Sequence, residues 1–236
     1  MNARMNEVLS SVRAVLFDVD GTIFSSEEII PDTYQNEFKK FREETGRPEH
    51  LPDFPQIMEQ IGKPVVEIFR NLAPDLSQTE QDSLSARILT GLVEDIEKGQ
   101  GIHYPGVFQT LQELKKRGYQ IFAASNGRRP YIESILKAAR ISPFFTEVPC
   151  LDNVRIKNKI ELVSDILKRY NFSGEEALMV GDRFSDREAA EKNKCRFAAC
   201  RYGHGNEEEL SGAHVYLEKI DDLLTVLPVS IARDGK

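Results

Sequence analysis

The chain has 236 residues, 40% hydrophobic and 29% charged, with 31 lysines and arginines against 38 aspartates and glutamates. A formal net charge of −7 gives no support to nucleic acid or an anionic membrane as partner, and leaves a small anionic ligand to be decided by local cations. The three cysteines, Cys150, Cys195 and Cys200, form neither a paired framework nor a CxxC metal spacing, so reduced thiols in a cytoplasmic protein are expected.

The first segment, MNARMNEVLSSVR, lacks the apolar core of a signal peptide. No run of the chain has the apolar length that crossing a bilayer requires. Residues 12–19 then read as a buried strand whose apolar VLF ends in two aspartates. Side chains alternate along a strand, so Asp18 and Asp20 point the same way. Like charges this close repel unless a cation or a shared proton settles them. The strand end is therefore a candidate metal site, or a nucleophile beside a general acid.

From Ser25 to Gln100 the signals are helical. PDTYQNEFKKFREETG places Tyr34, Phe38 and Phe41 on one face and stops at Gly46. SQTE, Ser77 to Glu80, is a capping box ahead of a helix carrying Leu84, Ile88, Leu92 and Ile96 on one stripe. Prolines 48, 52, 55 and 64 divide the stretch between them.

After KGQGIHYPG the pattern alternates. A helix over 106–117 precedes the strand YQIFAA, and helices follow over 130–139 and 159–170. The strand ALMV, a helix over 186–193, the strand RFAAC, a strand at HVYL and a helix containing DDLLTVL complete the chain. Repeated βα units with continuous apolar strands predict an α/β fold with a parallel sheet covered on both faces. The expected architecture is a Rossmann-like core of residues 1–24 and 102–236, interrupted by an all-helical domain over 25–101. In such sheets ligands bind beyond the carboxyl ends of the strands. Asp18 and Asp20, SNG at 125–127 and GD at 181–182 all fall there.

DVDGT at 18–22, SNG at 125–127, a lysine at 157 or 159 and GDRFSD at 181–186 resemble, in order and spacing, the four motifs of the haloacid dehalogenase superfamily. The insertion resembles the helical cap of its phosphoglycolate phosphatase and β-phosphoglucomutase branches. The resemblance implies that Asp18 is a nucleophile forming an aspartyl-phosphate. It implies that Asp20 is the general acid and then the base for water, its backbone carbonyl also binding metal. Thr22 is expected to fix Asp20 by a hydrogen bond. Ser125 and Asn126 are expected to hold phosphoryl oxygens, and Thr22, Lys159 and Lys63 are expected to join them in binding the phosphorylated substrate.

A fixed positive charge must offset Asp18 and the phosphoryl group. Counting back from GD favours Lys159, but relatives often carry a Lys-Pro pair where this chain has Ile160, and Lys157 remains open. Mg²⁺ takes few carboxylates plus water and substrate oxygens. Asp18, Asp182 and the Asp20 carbonyl are the expected ligands, with Asp186 acting through water or at a helix N-terminus. In the insertion, EQIGKPVVEIFR resembles the segment whose loop meets substrate, and Gly62 and Lys63 are placed to reach the cleft. Arg128 and Arg129 read as solvated surface residues, His103 as a hinge or surface residue, and His50, His204 and His214 as isolated. The aromatic stripe of the first inserted helix reads as core rather than as a binding face.

These readings imply a Mg²⁺-dependent phosphatase acting on a small phosphorylated metabolite. A β-phosphoglucomutase-like phosphomutase is the alternative, and a non-catalytic phosphoryl-binding protein a third. A binding role does not require an acid/base at Asp20, which argues against the third.

Overall fold

The computed structural model describes residues 8–48, 50–149, 151 and 156–229. The first strand, β1 (Ala14–Phe17), runs into the short β2 (Phe24–Ser25). The helices α1 (Ile30–Thr45), α2 (Phe54–Met58), α3 (Val65–Leu72) and α4 (Gln78–Glu97) follow before the short β3 (Ile102–His103). Next come α5 (Val107–Lys116), β4 (Gln120–Ala123), α6 (Arg129–Ala138), α7 (Lys159–Tyr170), β5 (Ala177–Gly181) and α8 (Phe184–Lys192). The strands β6 (Arg196–Cys200) and β7 (Val215–Leu217) and a short α9 (Leu223–Val226) close the chain.

Five strands form one sheet in the order β4-β1-β5-β6-β7, every neighbouring pair parallel. β1, lying between β4 and β5, is buried along its whole length, as a strand covered on both faces requires. Alternation divides its side chains between two cores. Val15 and Phe17 join Ile121, Ala123, Leu178 and Val180 beneath α5 and α6. Ala14 and Leu16 join Phe122, Met179 and Phe197 beneath α7 and α8. Phe17 pairs with both Ala123 and Val180. Strands β4, β1 and β5 therefore end at one level, and the loops leaving them start side by side.

The inserted helices enter and leave through a two-stranded antiparallel ribbon in which Phe24 pairs with His103 and Ser25 with Ile102. His103 sits in this ribbon, its ring packed edge-on against Phe24 with centroids 5.0 Å apart. The α1 helix ends at Gly46, whose φ of 66° is a left-handed value that glycine adopts without strain. The Ser77 side chain and Glu80 cap α4 reciprocally. Pro55 lies in the first turn of α2 and Pro64 at the cap of α3. These prolines therefore open helices, where no backbone donor is missed, as well as dividing them. The apolar stripe of α4 is buried, and α4 packs against α1 and α6.

Two expected boundaries shift. The α8 helix starts at Phe184, two residues ahead of the expected 186. The final helix is only Leu223–Val226 after a 3₁₀ turn at Ile220–Asp222, because Pro228 cannot continue it. Cys195 and Cys200 are buried and unpaired, while Cys150 lies outside the described residues. No helix among the described residues is long and apolar enough to cross a membrane.

Candidate active site

Asp18 is the first residue past β1 and is 2% exposed. Its backbone N–H donates to Val180 O at 2.9 Å, tying the strand end to β5. Lys159, at the start of α7, reaches it: Nζ lies 2.9 Å from Asp18 Oδ1 and 2.6 Å from Asp186 Oδ1. Lys157 is exposed and only its backbone N–H is engaged, with Glu161. The helix begins between the two lysines, at the cap residue Asn158, whose side chain accepts from the Glu161 N–H; Lys159 is its first residue and is buried, while Lys157 stays outside it.

Asp182 follows β5 and is fully buried. Its carboxylate accepts from Thr22 Oγ1 at 3.3 Å and from the His204 backbone N–H at 2.7 Å. The loop holding it is tightly packed. Gly21, at φ 77°, has no room for a side chain, since a Cβ there would lie 2.1 Å from Asp182 Oδ2. Gly203 is equally confined, a Cβ meeting Gly21 O at 2.4 Å. Asp186, in the first turn of α8, turns its second oxygen to the backbone N–H groups of Asp182 and Arg183.

Thr22 therefore does not fix Asp20. After the sharp turn at Gly21 its hydroxyl faces the end of β5 and bonds Asp182. Asp20 is held instead by Tyr131 of α6, whose phenol donates to Oδ1 at 2.6 Å. Nothing local to either residue announces this pair, which is 111 positions apart.

Asp18, Asp182 and Asp186 each present an oxygen, all within 4.8 Å of one another. Three buried carboxylates face one buried ammonium, so two formal negative charges lack a counter-charge. Burial pushes the Asp18 carboxyl up from its ordinary range against the pull of Lys159. Burial and the Asp186 and Asp18 charges push Asp182 well up, and Asp186 rises to about 6. Burial acts to lower the Lys159 pKa, but the Asp18 and Asp186 charges outweigh it and the net shift is upward. Asp18 Oδ2 is buried without a hydrogen-bond partner. This all-oxygen donor set with an orphaned anionic atom fits a hard divalent cation. Asp20 contributes no side-chain atom to the cluster.

Ser125 and Asn126 follow β4. Ser125 Oγ accepts from the Gly127 N–H at 3.0 Å. The Asn126 side chain donates to Gly62 O at 2.7 Å, and its Oδ1 is buried without a partner. Gly62 thus meets the end of β4, while Lys63 turns to Gln60 Oε1 at 3.1 Å. Arg128 departs from its expected surface position: it is half-buried, and its guanidinium donates to Ser85 O on α4 at 2.6 Å. Tyr34 is both a core residue of α1 and part of a cavity wall. His204 is not isolated either, since its Nδ1 lies 2.9 Å from Glu27 Oε1, and His214 Nδ1 accepts from the Phe197 N–H at 3.1 Å.

Two cavities meet at the Gly62–Asn126 contact. An inner one of about 70 Å³ touches Asp18, Asp20, Ser125 and Tyr131 on one side and α1, α3 and α4 on the other. An outer one of about 500 Å³ has a mixed lining, with Lys63, Lys159, Arg183 and Glu188 beside Ile160 and Phe184. A carboxylate that has one oxygen held by an ammonium and the other without a partner, and that lines a chamber with a second carboxylate, is suited to attack and proton transfer.

Known proteins resemble this chain in family and in fold. The family model described as haloacid dehalogenase-like hydrolase matches residues 15–200, and the chain belongs to that family. Among relatives, a pyrophosphatase PpaX from Bacillus cereus (strain Q1) is 28% identical over 224 residues, 92% of this chain and 96% of that protein. One from Oceanobacillus iheyensis is 26% identical over 227 residues, covering 94% and 100%. Among solved structures, a predicted phosphoglycolate phosphatase from Haemophilus somnus superposes with a TM-score of 0.80 at 18% identity, covering 92% of this chain and 98% of that one. CbbY from Rhodobacter sphaeroides in complex with phosphate gives 0.76 at 19%, covering 92% and 99%. These structural likenesses bear on the fold.

Proposed function

We propose that the protein is a Mg²⁺-dependent phosphatase hydrolysing a small phosphomonoester through an aspartyl-phosphate on Asp18. One observation carries the reading: Asp18 lines the same chamber as Asp20, with one oxygen held by Lys159 and the other, Oδ2, buried without a hydrogen-bond partner. Asp18 attacks phosphorus, and the bond to the leaving oxygen breaks as Asp20 delivers a proton to it. Asp20, oriented by Tyr131, then takes a proton from water as water displaces the Asp18 carboxylate. Lys159 offsets the charge gathered on Asp18 and the phosphoryl oxygens. Ser125 and Asn126 bind and orient the phosphoryl group, while Thr22, bonded to Asp182, holds that carboxylate in place. Asp18, Asp182 and the Asp20 backbone carbonyl would hold Mg²⁺, with Asp186 behind them. The ion would supply charge neutralisation for an anionic nucleophile meeting an anionic substrate.

In this reading residues 1–24 and 102–236 form the catalytic core and 25–101 a cap that closes over it, in a protein acting on cytoplasmic metabolites. Net hydrolysis is preferred to mutase transfer because the only lysine in the Gly62 loop, Lys63, is turned to Gln60, leaving little to grip two phosphates in turn. A second reading, hydrolysis of pyrophosphate, draws on the names of the relatives above.

The test is phosphate release from a panel of phosphorylated metabolites with and without Mg²⁺, with Asp18→Asn as control. Metal-dependent release that is lost in the folded variant is expected. Equal release by Asp18→Asn would sink the mechanism.

A further inference from the structure

The inner chamber has walls that do not suit a second anion. Ile61, Ile68, Phe69, Ile88, Leu89 and Leu92 face Asp18 and Asp20 across it. Cations do line it, but both are engaged within the protein: Arg128 donates to Ser85 O, and Lys63 to Gln60 Oε1. The Tyr131 phenol is committed to Asp20. A phosphate or carboxylate carried next to the reacting phosphoryl would leave water for a mostly aliphatic wall with two carboxylates opposite, and would compete with Ser85 O and Gln60 Oε1 for the two cations.

We infer that the substrate carries a small apolar group, alkyl or aryl, beside its phosphoryl group, and that pyrophosphate and phosphoglycolate are poor substrates. This rests on the phosphatase reading above. The chamber is small, about 70 Å³, so the group is short. The chamber is the specificity element: α1, α3 and α4 read the organic part while the strand ends hold the phosphoryl group.

The test is kcat/KM with Mg²⁺ for methyl, ethyl, propyl and butyl phosphate, whose leaving oxygens have nearly the same basicity, beside pyrophosphate and phosphoglycolate. Burial of each methylene should raise kcat/KM about fourfold until the chamber is full. Butyl phosphate should exceed pyrophosphate and phosphoglycolate by about tenfold or more. The matching alkylphosphonates, which cannot be hydrolysed, should show the same slope in Kd, and Leu89→Lys should flatten both series.

Turnover with a flat series in both measurements, or with pyrophosphate or phosphoglycolate as the best substrate, overturns the inference and leaves the phosphatase reading standing. A rising phosphonate affinity without turnover of any phosphate sinks the phosphatase reading, while retaining the chamber as the element that recognises an apolar group.

Discussion

The phenol of Tyr131 donates to Asp20 Oδ1 at 2.6 Å, joining the second helix of the core to the strand-end loop across the whole insertion. Burial pushes the Asp20 carboxyl up from its ordinary range, with the Tyr131 hydrogen bond acting in the opposite sense. The pair fixes the direction in which Asp20 presents its other oxygen. Tyr131→Phe removes the donor and keeps the ring. We expect kcat to fall about tenfold to a hundredfold with KM within about twofold, in steady-state assays. An unchanged kcat would show that Asp20 is oriented without it.

Metal and protons compete to neutralise the same cluster. Without metal, the raised carboxyls of Asp18, Asp182 and Asp186, the last at about 6, bind protons in the folded state that the unfolded chain has already released. Stability from this source is therefore largest on the acidic side and falls as pH rises from about 4 through 6. In chelator, the wild type should lose stability relative to Asp182→Asn between pH 5 and 7.5, as read by thermal unfolding. Saturating Mg²⁺ at pH 7.5 should return on the order of 3 kcal/mol at a hundredfold excess over its Kd, and Asp182→Ala should lose that gain.

Asp18→Asn has a consequence for stability besides its effect on turnover. It removes one of the three crowded carboxylates while Lys159 keeps Asp186 at 2.6 Å. The metal-free variant should be at least as stable as the metal-free wild type in chemical denaturation. A loss of more than about 2 kcal/mol would mean that the Asp18–Lys159 pair is stabilising beyond the desolvation of its charges.

The Asn126–Gly62 contact at 2.7 Å closes the partition between the two cavities. Asn126→Ala should cost on the order of 1 kcal/mol in stability and speed amide exchange around Gly62 and Lys63. Hydrogen exchange read by mass spectrometry checks this. Unaltered exchange there would show that the loop is held by its other contacts.

Arg42, on α1, is 2% exposed and makes two 2.9 Å bonds to Asp75 and one of 3.1 Å to Pro48 O. Arg42→Met should destabilise the protein by about 1–3 kcal/mol through the unpaired carbonyl and lost packing. The affinity for Mg²⁺, measured by titration calorimetry, should not change.

The parallel core was legible because apolar runs such as AVLF and ALMV are local signals, and Ser77 with Glu80 spelled out a helix start. Asp18, Asp20, Asp182 and Asp186 could be named because short motifs hold them at fixed offsets. What escaped depends on distant segments meeting. The hydroxyl of Thr22 has two aspartates within reach of its turn, and only the fold decides that it bonds Asp182. Arg128 looks solvated until α4 brings the Ser85 carbonyl to it. The backbone of His204 binds Asp182 because Gly203 lets the chain pass within touching distance of Gly21, which no periodicity reports.

The β2–β3 ribbon pairs Phe24 with His103 and Ser25 with Ile102, so the chain departs and returns at neighbouring points. To the sheet, everything between Ser26 and Gly101 amounts to a single stitch. Its length enters no register of the five parallel strands, and no strand must slide to accommodate a change in it. A lineage can therefore trade one inserted helical segment for another without redrawing the strand ends, provided the new segment still offers α6 a face to rest on. The chamber walls and the strand-end carboxylates can in this way diverge at different rates within a single chain.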